Sequence, residues 1–91
     1  MVDPVDEYRI TSHLAFEMRR RGTEETVMRR VLTAPEQRHA VRSGRDVLQS
    51  KIAFGGKIYL LRVFVDVDRR PAEVVTVYRT SNVPKYWRAT S

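Results

Sequence analysis

Two adjacent glycines, Gly55 and Gly56, separate two stretches in which apolar and polar residues alternate, residues 47–54 and 57–67. A two-residue hairpin turn of type I′ needs positive φ at both central positions, and glycine adopts that conformation without a steric penalty. The glycine pair therefore predicts an antiparallel hairpin and also sets its register. The predicted cross-strand pairs are Ile52 with Tyr59, Lys51 with Leu60, and Gln49 with Arg62.

The two faces of this hairpin differ in polarity. Successive side chains of a strand point to opposite sides of the sheet, so one face collects the apolar residues that suit a core. The predicted core face carries Leu48, Ser50, Ile52, Tyr59, Leu61, Val63 and Val65. The opposite face is mixed and carries Gln49, Lys51, Ala53, Leu60, Arg62 and Phe64.

A third strand is predicted over residues 73–80, which are rich in β-branched and aromatic side chains. Simple alternation places Val75, Val77 and Arg79 on one face, and Val74, Thr76 and Tyr78 on the other. The polar residues gather at the end of this strand, just before a break. Such an end either holds polar groups at the rim of a site or is an ordinary strand end in water.

Two helices are predicted before the sheet. Apolar residues recur every fourth position at Ile10, Leu14 and Met18, in a helix that Thr11 or Ser12 caps and that runs to about Arg21. Gly22 suits the left-handed residue that ends a helix. Thr23 is predicted to cap the second helix, which ends at residues 34–35, Ala-Pro. The two helices are expected to pack as a helical hairpin.

The remaining segments are short. Residues 3–9 have turn character. Residues 36–45 form a polar connection with room for a short strand at residues 40–42. Residues 82–87 form a tail of about one helical turn, in which Tyr86 and Trp87 are able to pack on the sheet. The order of elements predicts one α+β domain over residues 1–91, an N-terminal helical hairpin on a three- to four-stranded antiparallel sheet.

Composition excludes several classes of protein. The chain has no cysteine, so disulfides and thiolate metal sites are absent, which fits a cytoplasmic location. The acidic N-terminus has no apolar segment of the kind found in signal peptides. No apolar run approaches the roughly 20 residues that a membrane-spanning helix needs. We therefore expect no membrane partner.

The net charge is +6, and most of the basic residues are arginine. The planar guanidinium binds phosphate through two parallel hydrogen bonds, which favours a nucleic acid or an acidic protein as partner. A GC-rich genome would also enrich arginine codons, whatever the function.

Several segments, in this order and spacing, resemble a family of small uncharacterised bacterial domains related to the BrnT and RelE-like ribonuclease toxins. They are residues 11–15 (TSHLA), 18–25 (MRRRGTEE), 56–63 (GKIYLLRV), 75–81 (VTVYRTS) and 85–88 (KYWR). The resemblance implies a RelE/barnase-like fold and metal-independent cleavage of mRNA within a toxin–antitoxin system. It also implies an antitoxin partner, and it implies no cofactor.

Metal-independent cleavage of RNA needs a base for the 2′-hydroxyl proton, a cation for the charge on the phosphorane, and an acid for the leaving oxygen. His13 matches the Ser-x-His pattern of the family and is a candidate base, although a surface or capping role is equally open. His39 is expected to be exposed in the polar connection. Arg79 is the main candidate for stabilising the transition state.

Further candidates come from the sheet and the tail. Lys51 and Arg62 lie on the mixed face, where they either hold a phosphate or extend into solvent. Tyr78 is expected to point away from Arg79. Tyr86 is a candidate acid or stacking residue, or packs beside Trp87.

The remaining candidates are residues that contact RNA without taking part in catalysis. They are Arg19, Arg20, Arg21, Thr80 and Lys85, and the three arginines suit phosphate contact or docking on the ribosome, unless they are simply a solvated helix end. No metal site is predicted, because Asp66 and Asp68 have no third acid at suitable spacing.

Three functional hypotheses follow. The first is an endoribonuclease toxin that an antitoxin neutralises. The second is a non-catalytic basic module that binds RNA or a partner protein through the same sheet face. The third, an effector domain cut from a longer polypeptide, is less favoured because the chain starts at Met1.

Overall fold

The computed structural model describes residues 2–22 and 24–89, which form three helices and five strands. In chain order the elements are β1 (Tyr8–Ile10), α1 (Ser12–Arg21), α2 (Glu25–Thr33), β2 (Gln37–Arg42), β3 (Arg45–Phe54), β4 (Lys57–Asp66), β5 (Ala72–Thr80) and α3 (Val83–Tyr86). The architecture is α+β, as the sequence predicts.

The β3–β4 hairpin confirms the prediction from the glycine pair. Gly55 and Gly56 have φ values of 60° and 78°, and the turn joins two strands of ten residues each. All three predicted cross-strand pairs are present: Ile52 with Tyr59, Lys51 with Leu60, and Gln49 with Arg62.

The sheet is larger than predicted, and it is mixed rather than antiparallel. Its five strands lie in the order β1-β5-β4-β3-β2, with β1 parallel to β5. Ile10 belongs to β1 and not to the first helix, so its spacing from Leu14 does not reflect a shared helical face. A strand of three residues is too short to show a period of two, which is why the sequence pattern missed it.

The two longer helices lie on one side of the sheet. Thr11 caps α1 by accepting a hydrogen bond from the backbone N–H of Leu14 at 3.1 Å, and Gly22 ends the helix with φ of 72°. The predicted cap Thr23 lies outside the described residues. The main contacts of α1 are with β5, and those of α2 are with β3 and β4, so each helix packs chiefly on the sheet.

The hydrophobic core lies between these helices and the sheet. Its buried residues are Val5, Leu14, Met18, Met28, Val31, Leu32, Leu48, Leu61, Val63, Val65, Val74 and Val77. The predicted core face of the hairpin supplies Leu48, Leu61, Val63 and Val65, with Ile52 packed at the margin.

Strand β5 departs from simple alternation. Phe64 pairs with Thr76, but the next residue of β4, Val65, pairs with Val74, so Val75 is an extra residue in a bulge. Val74, rather than Val75, therefore lies in the core beside Val77. The prediction that Val75 shares a face with Val77, and that Val74 lies on the other face, was wrong because the pairing with β4 introduces a bulge at Val75. Tyr78 and Arg79 follow the bulge and point to opposite faces, as predicted.

The predicted helical turn at the C-terminus is present as α3. It begins a segment, residues 83–89, that crosses the face of the sheet turned away from α1 and α2; we call this segment the strap. Among the described residues, no helix is long and apolar enough to cross a membrane.

Candidate functional site

The sheet face under the strap is polar, in contrast to the core face. We call it the polar face, and it carries Gln37, His39, Gln49, Lys51, Arg62, Tyr78 and Thr80. Their common orientation follows from the registers, since Gln37 is opposite Gln49, Gln49 opposite Arg62, and Arg62 opposite Tyr78. Four neighbouring strands thus contribute polar side chains to one surface.

Arg62 lies at the centre of the polar face and is only 9% exposed. Its Nε donates to Gln49 Oε1 at 2.8 Å, and its Nη1 donates to the Tyr78 hydroxyl at 2.8 Å. None of the ion pairs formed by the described residues includes Arg62. A buried cation usually has a carboxylate partner, so Arg62 keeps a positive charge that neutral groups alone hold in place.

Aromatic rings complete the surroundings of Arg62. Its guanidinium carbon lies 4.4 Å from the centre of the Tyr86 ring, 5.2 Å from that of Phe64 and 5.9 Å from that of Tyr78. The negative faces of such rings stabilise a cation without cancelling its charge. The arrangement therefore combines a fixed positive charge with ring surfaces on which a base can stack.

Gln49 positions both Arg62 and the strap. It is fully buried, and its Nε2 donates to Gln37 Oε1 at 2.8 Å and to the Tyr86 carbonyl at 3.1 Å. Gln37 in turn donates to the Arg88 carbonyl at 2.6 Å and accepts from the Arg88 N–H at 3.1 Å. Two glutamines thus connect β2, β3, β4 and the strap.

The strap brings its own cations and rings to this face. Lys51 Nζ lies 4.1 Å from the centre of a Trp87 ring, and Lys85 Nζ lies 5.3 Å from that of Tyr86. Thr80 accepts a hydrogen bond from the Asn82 N–H at 3.1 Å, where the chain turns into the strap. The predicted candidates Lys51, Arg62, Tyr78, Thr80, Lys85 and Tyr86 are therefore grouped on one surface.

His39 lies on the polar face and not in an exposed connection. It is half-buried in β2, opposite Val47. Burial, together with the nearby charges of Arg88 and Arg62, lowers the pKa of His39 below its ordinary value, and Asp46 opposes this effect. The short strand predicted at residues 40–42 is the second half of β2, and the strand begins earlier than predicted, at Gln37.

Arg79 lies on the other side of the sheet, beside a pocket of about 500 Å³ that we call the helix-side pocket. Its guanidinium carbon stacks 3.9 Å from the centre of the Phe54 ring. The pocket is lined by Arg21, Gly22, Glu24, Val27, Ile52, Phe54, Leu61, Tyr78 and Arg79. Arg79 and Arg62 are therefore held on opposite faces of the same sheet.

The remaining predicted residues belong to α1, on the side of the core. His13 is exposed in the first turn of α1, and Arg19, Arg20 and Arg21 are exposed in its last turn. Arg20 and Arg21 pair with Glu17 at 3.3 and 3.6 Å. The sheet separates all four from Arg62, so the structure does not bring His13 together with the group on the polar face.

An arginine engages the carboxylate of Asp66, one of the two acids weighed as metal ligands. Asp66 accepts from Arg45 at 2.6 Å, and this hydrogen bond lowers the pKa of the Asp66 carboxyl. Within residues 2–22 and 24–89, no group of three or more acidic or histidine side chains is arranged to hold a metal ion.

Two members of the polar face, Gln49 and His39, are not among the predicted site residues. The hairpin register places Gln49 on the correct face, but a glutamine in a sequence does not indicate burial or a functional role. His39 was assigned to a connection because its flanking residues are polar. In comparisons with known proteins, no family model, no curated sequence and no solved structure matches this chain.

Proposed function

We propose that this chain binds RNA through the polar face and cleaves it without a metal ion, as a toxin that an antitoxin protein neutralises. The observation that carries the binding proposal is Arg62, a buried guanidinium with no acidic partner among the described residues. A phosphate is the anion whose geometry suits a guanidinium, and it would supply the missing negative charge.

The aromatic residues favour RNA with unpaired bases. Tyr86 and Trp87 lie on the strap, and Tyr78 and Phe64 stack at 6.0 Å below them. Base stacking on such rings is a common means of binding single-stranded nucleic acid, and it tolerates many sequences.

The cleavage proposal rests on the resemblance to the toxins and on the grouping of four predicted catalytic or binding residues, Lys51, Arg62, Tyr78 and Tyr86. In such a reaction the 2′-oxygen attacks the adjacent phosphorus and the bond to the 5′-oxygen breaks. The products are a 2′,3′-cyclic phosphate and a 5′-hydroxyl end. Arg62 would offset the charge that develops on the phosphate oxygens, and the Tyr86 hydroxyl would donate a proton to the leaving oxygen.

A second candidate function is RNA binding without cleavage. It is favoured because His13 and Arg79, the predicted base and the predicted cation for the transition state, lie across the sheet from Arg62. Under this hypothesis the polar face is a binding surface only, and the Tyr86 hydroxyl has no chemical role.

The deciding experiment incubates the purified chain with a single-stranded RNA in the presence of EDTA and analyses the product ends. Arg62→Gln should lose both binding and cleavage, whereas Arg30→Gln, which removes an exposed charge on α2, should lose neither. Tyr86→Phe keeps the ring over Arg62 and removes only the hydroxyl. Cleavage by this variant should fall about 10²–10⁴-fold, the usual contribution of a general acid, with binding unchanged.

Three outcomes separate the hypotheses. Cyclic-phosphate ends that depend on Arg62 and on the Tyr86 hydroxyl support the ribonuclease. Tight binding that depends on Arg62, without any cleavage, supports the binding module. Full binding by a folded Arg62→Gln protein would rule out the polar face as the RNA site.

A further inference from the structure

We propose that His39 is the general base of this site and takes the proton from the attacking 2′-hydroxyl. This inference rests on the proposed ribonuclease function. It assigns a catalytic role to a residue that sequence reasoning placed in an exposed connection, and it takes that role from His13.

The fold directs His39 to the same surface as Arg62. Gln37 and His39 are two residues apart in β2 and so share a face, and Gln37 is bonded to Gln49 on the polar face. Strand β3 alone separates β2 from β4. Neighbouring strands lie about 4.8 Å apart, so the backbones that carry His39 and Arg62 are about 10 Å apart across the strands. Along the strands, His39 lies two residues from the row formed by Gln37, Gln49 and Arg62, and the charge of Arg62 acts on the imidazole.

The imidazole is available for a substrate. No hydrogen bond of the described residues engages a ring nitrogen of His39, although its neighbour Gln37 is fully engaged. None of the buried side-chain nitrogens and oxygens in this part of the chain lacks a partner. The unpartnered ring nitrogens therefore reach the surface, where a ribose hydroxyl can approach them.

Charged groups from three elements act on His39. Burial is the main effect that lowers the pKa of His39, followed by the charges of Arg88 on the strap and Arg62 on β4, while Asp46 on β3 raises this pKa. The net effect keeps His39 neutral at pH 7, which is the form that accepts a proton. A phosphate bound at Arg62 would hold the adjoining ribose on the face of the sheet that carries the imidazole.

The proposed step balances without a co-reactant. The 2′-oxygen bonds to phosphorus as its proton passes to His39, and the P–O5′ bond breaks as the 5′-oxygen receives a proton from Tyr86. The imidazolium then returns its proton to water, and the tyrosine regains one. His13 takes no part, because the sheet lies between it and the phosphate.

The first test compares His39→Gln with His13→Gln in cleavage of the same RNA at pH 7. We expect His39→Gln to lose about 10²–10⁴-fold in rate, as for other general bases, while it binds a 2′-deoxy analogue as the wild type does. The fluorescence of Trp87, the one tryptophan of the chain, reports whether the strap is in place. Loss of cleavage in His13→Gln with full activity in His39→Gln would overturn the inference.

The second test uses the pH profile, which a merely structural histidine would not move. The rate at saturating RNA should fall as the pH drops through the pKa of His39. Arg88→Gln removes a charge that lowers this pKa, so the acid limb of the profile should move to higher pH. The matched variant Arg30→Gln should leave the limb in place. An NMR titration of the His39 ring should show the same displacement in Arg88→Gln.

These outcomes separate the inference from its premise. If the wild-type chain cleaves RNA and His39→Gln cleaves it equally fast, the base is another group, and the ribonuclease proposal stands. If the wild-type chain binds RNA and does not cleave it, both the ribonuclease and the role of His39 are overturned.

Discussion

Arg62 shows how one residue can be prepared for a ligand by neutral partners. Gln49, Tyr78 and the Tyr86 ring hold the guanidinium in one orientation, and none of them carries an opposite charge. A carboxylate in the place of Gln49 would fix the side chain equally well, but it would remove the attraction for phosphate. The glutamine therefore provides orientation while preserving the charge.

The role of Gln49 can be measured through stability. Gln49→Met keeps the length of the side chain but leaves Arg62 Nε and the Tyr86 carbonyl without their partner. It also removes one of the two hydrogen bonds that Gln37 Oε1 accepts. Because an unsatisfied buried polar group costs on the order of 1–3 kcal/mol, we expect the free energy of unfolding in urea to fall by about 2–3 kcal/mol, with a change in Trp87 fluorescence.

Leu48→Met is the matched control for this substitution. It introduces the same side chain at the neighbouring buried position on the core face, where an exchange of similar volume costs less than about 1.5 kcal/mol. Equal losses in the two variants would show that the hydrogen bonds of Gln49 contribute nothing of their own.

At the scale of elements, local chemistry determined what could be predicted from the sequence. The β3–β4 hairpin was predicted with its full register because two glycines dictate the turn. The placement of Lys51 and Arg62 on one face of the hairpin followed directly from that register. Strand β1 and the bulge at Val75 depend on pairing with a distant strand, which leaves no local signal. The grouping of Tyr86 with Arg62 likewise depends on where the strap crosses the sheet.

The bulge in β5 makes a testable difference between two adjacent valines. Val74 is fully buried in the core, while Val75 is the half-buried extra residue. Both substitutions to alanine lose the same β-propensity, but only Val74→Ala also leaves a cavity. We expect Val74→Ala to lower the free energy of unfolding by about 2 kcal/mol and Val75→Ala by less than about 1 kcal/mol. The reverse order would indicate simple alternation and no bulge.

At the scale of the whole molecule, the single sheet separates two charged surfaces. The chain measures 36 × 35 × 19 Å, so the sheet is a thin layer with a broad surface on either side. Arg19, Arg20, Arg21 and Arg79 lie on the helix side. Lys51, Arg62, Lys85 and Arg88 lie with the polar face and the strap. The net charge of +6 alone does not tell which surface meets a polyanion.

The salt dependence of RNA binding identifies the surface. Each phosphate contact to single-stranded nucleic acid contributes about −0.7 to the slope of log K against log salt concentration. Four contacts through the polar face predict a slope of about −3, and Arg88→Gln should reduce its magnitude by about 0.7. The control Arg30→Gln, on the helix side, should leave the slope unchanged. If Arg30→Gln reduces the magnitude of the slope and Arg88→Gln leaves it unchanged, RNA binds to the helix side.

The path of the strap also has a consequence for limited proteolysis. All five strands precede residues 83–89 in the chain, and no residue of the strap belongs to the hydrophobic core. A cut just before the strap would therefore leave the strands and the core in place. It would remove the Tyr86 ring from Arg62 and the carbonyl that accepts a hydrogen bond from Gln49. Cleavage at this one junction would thus uncover the buried cation without unfolding the sheet.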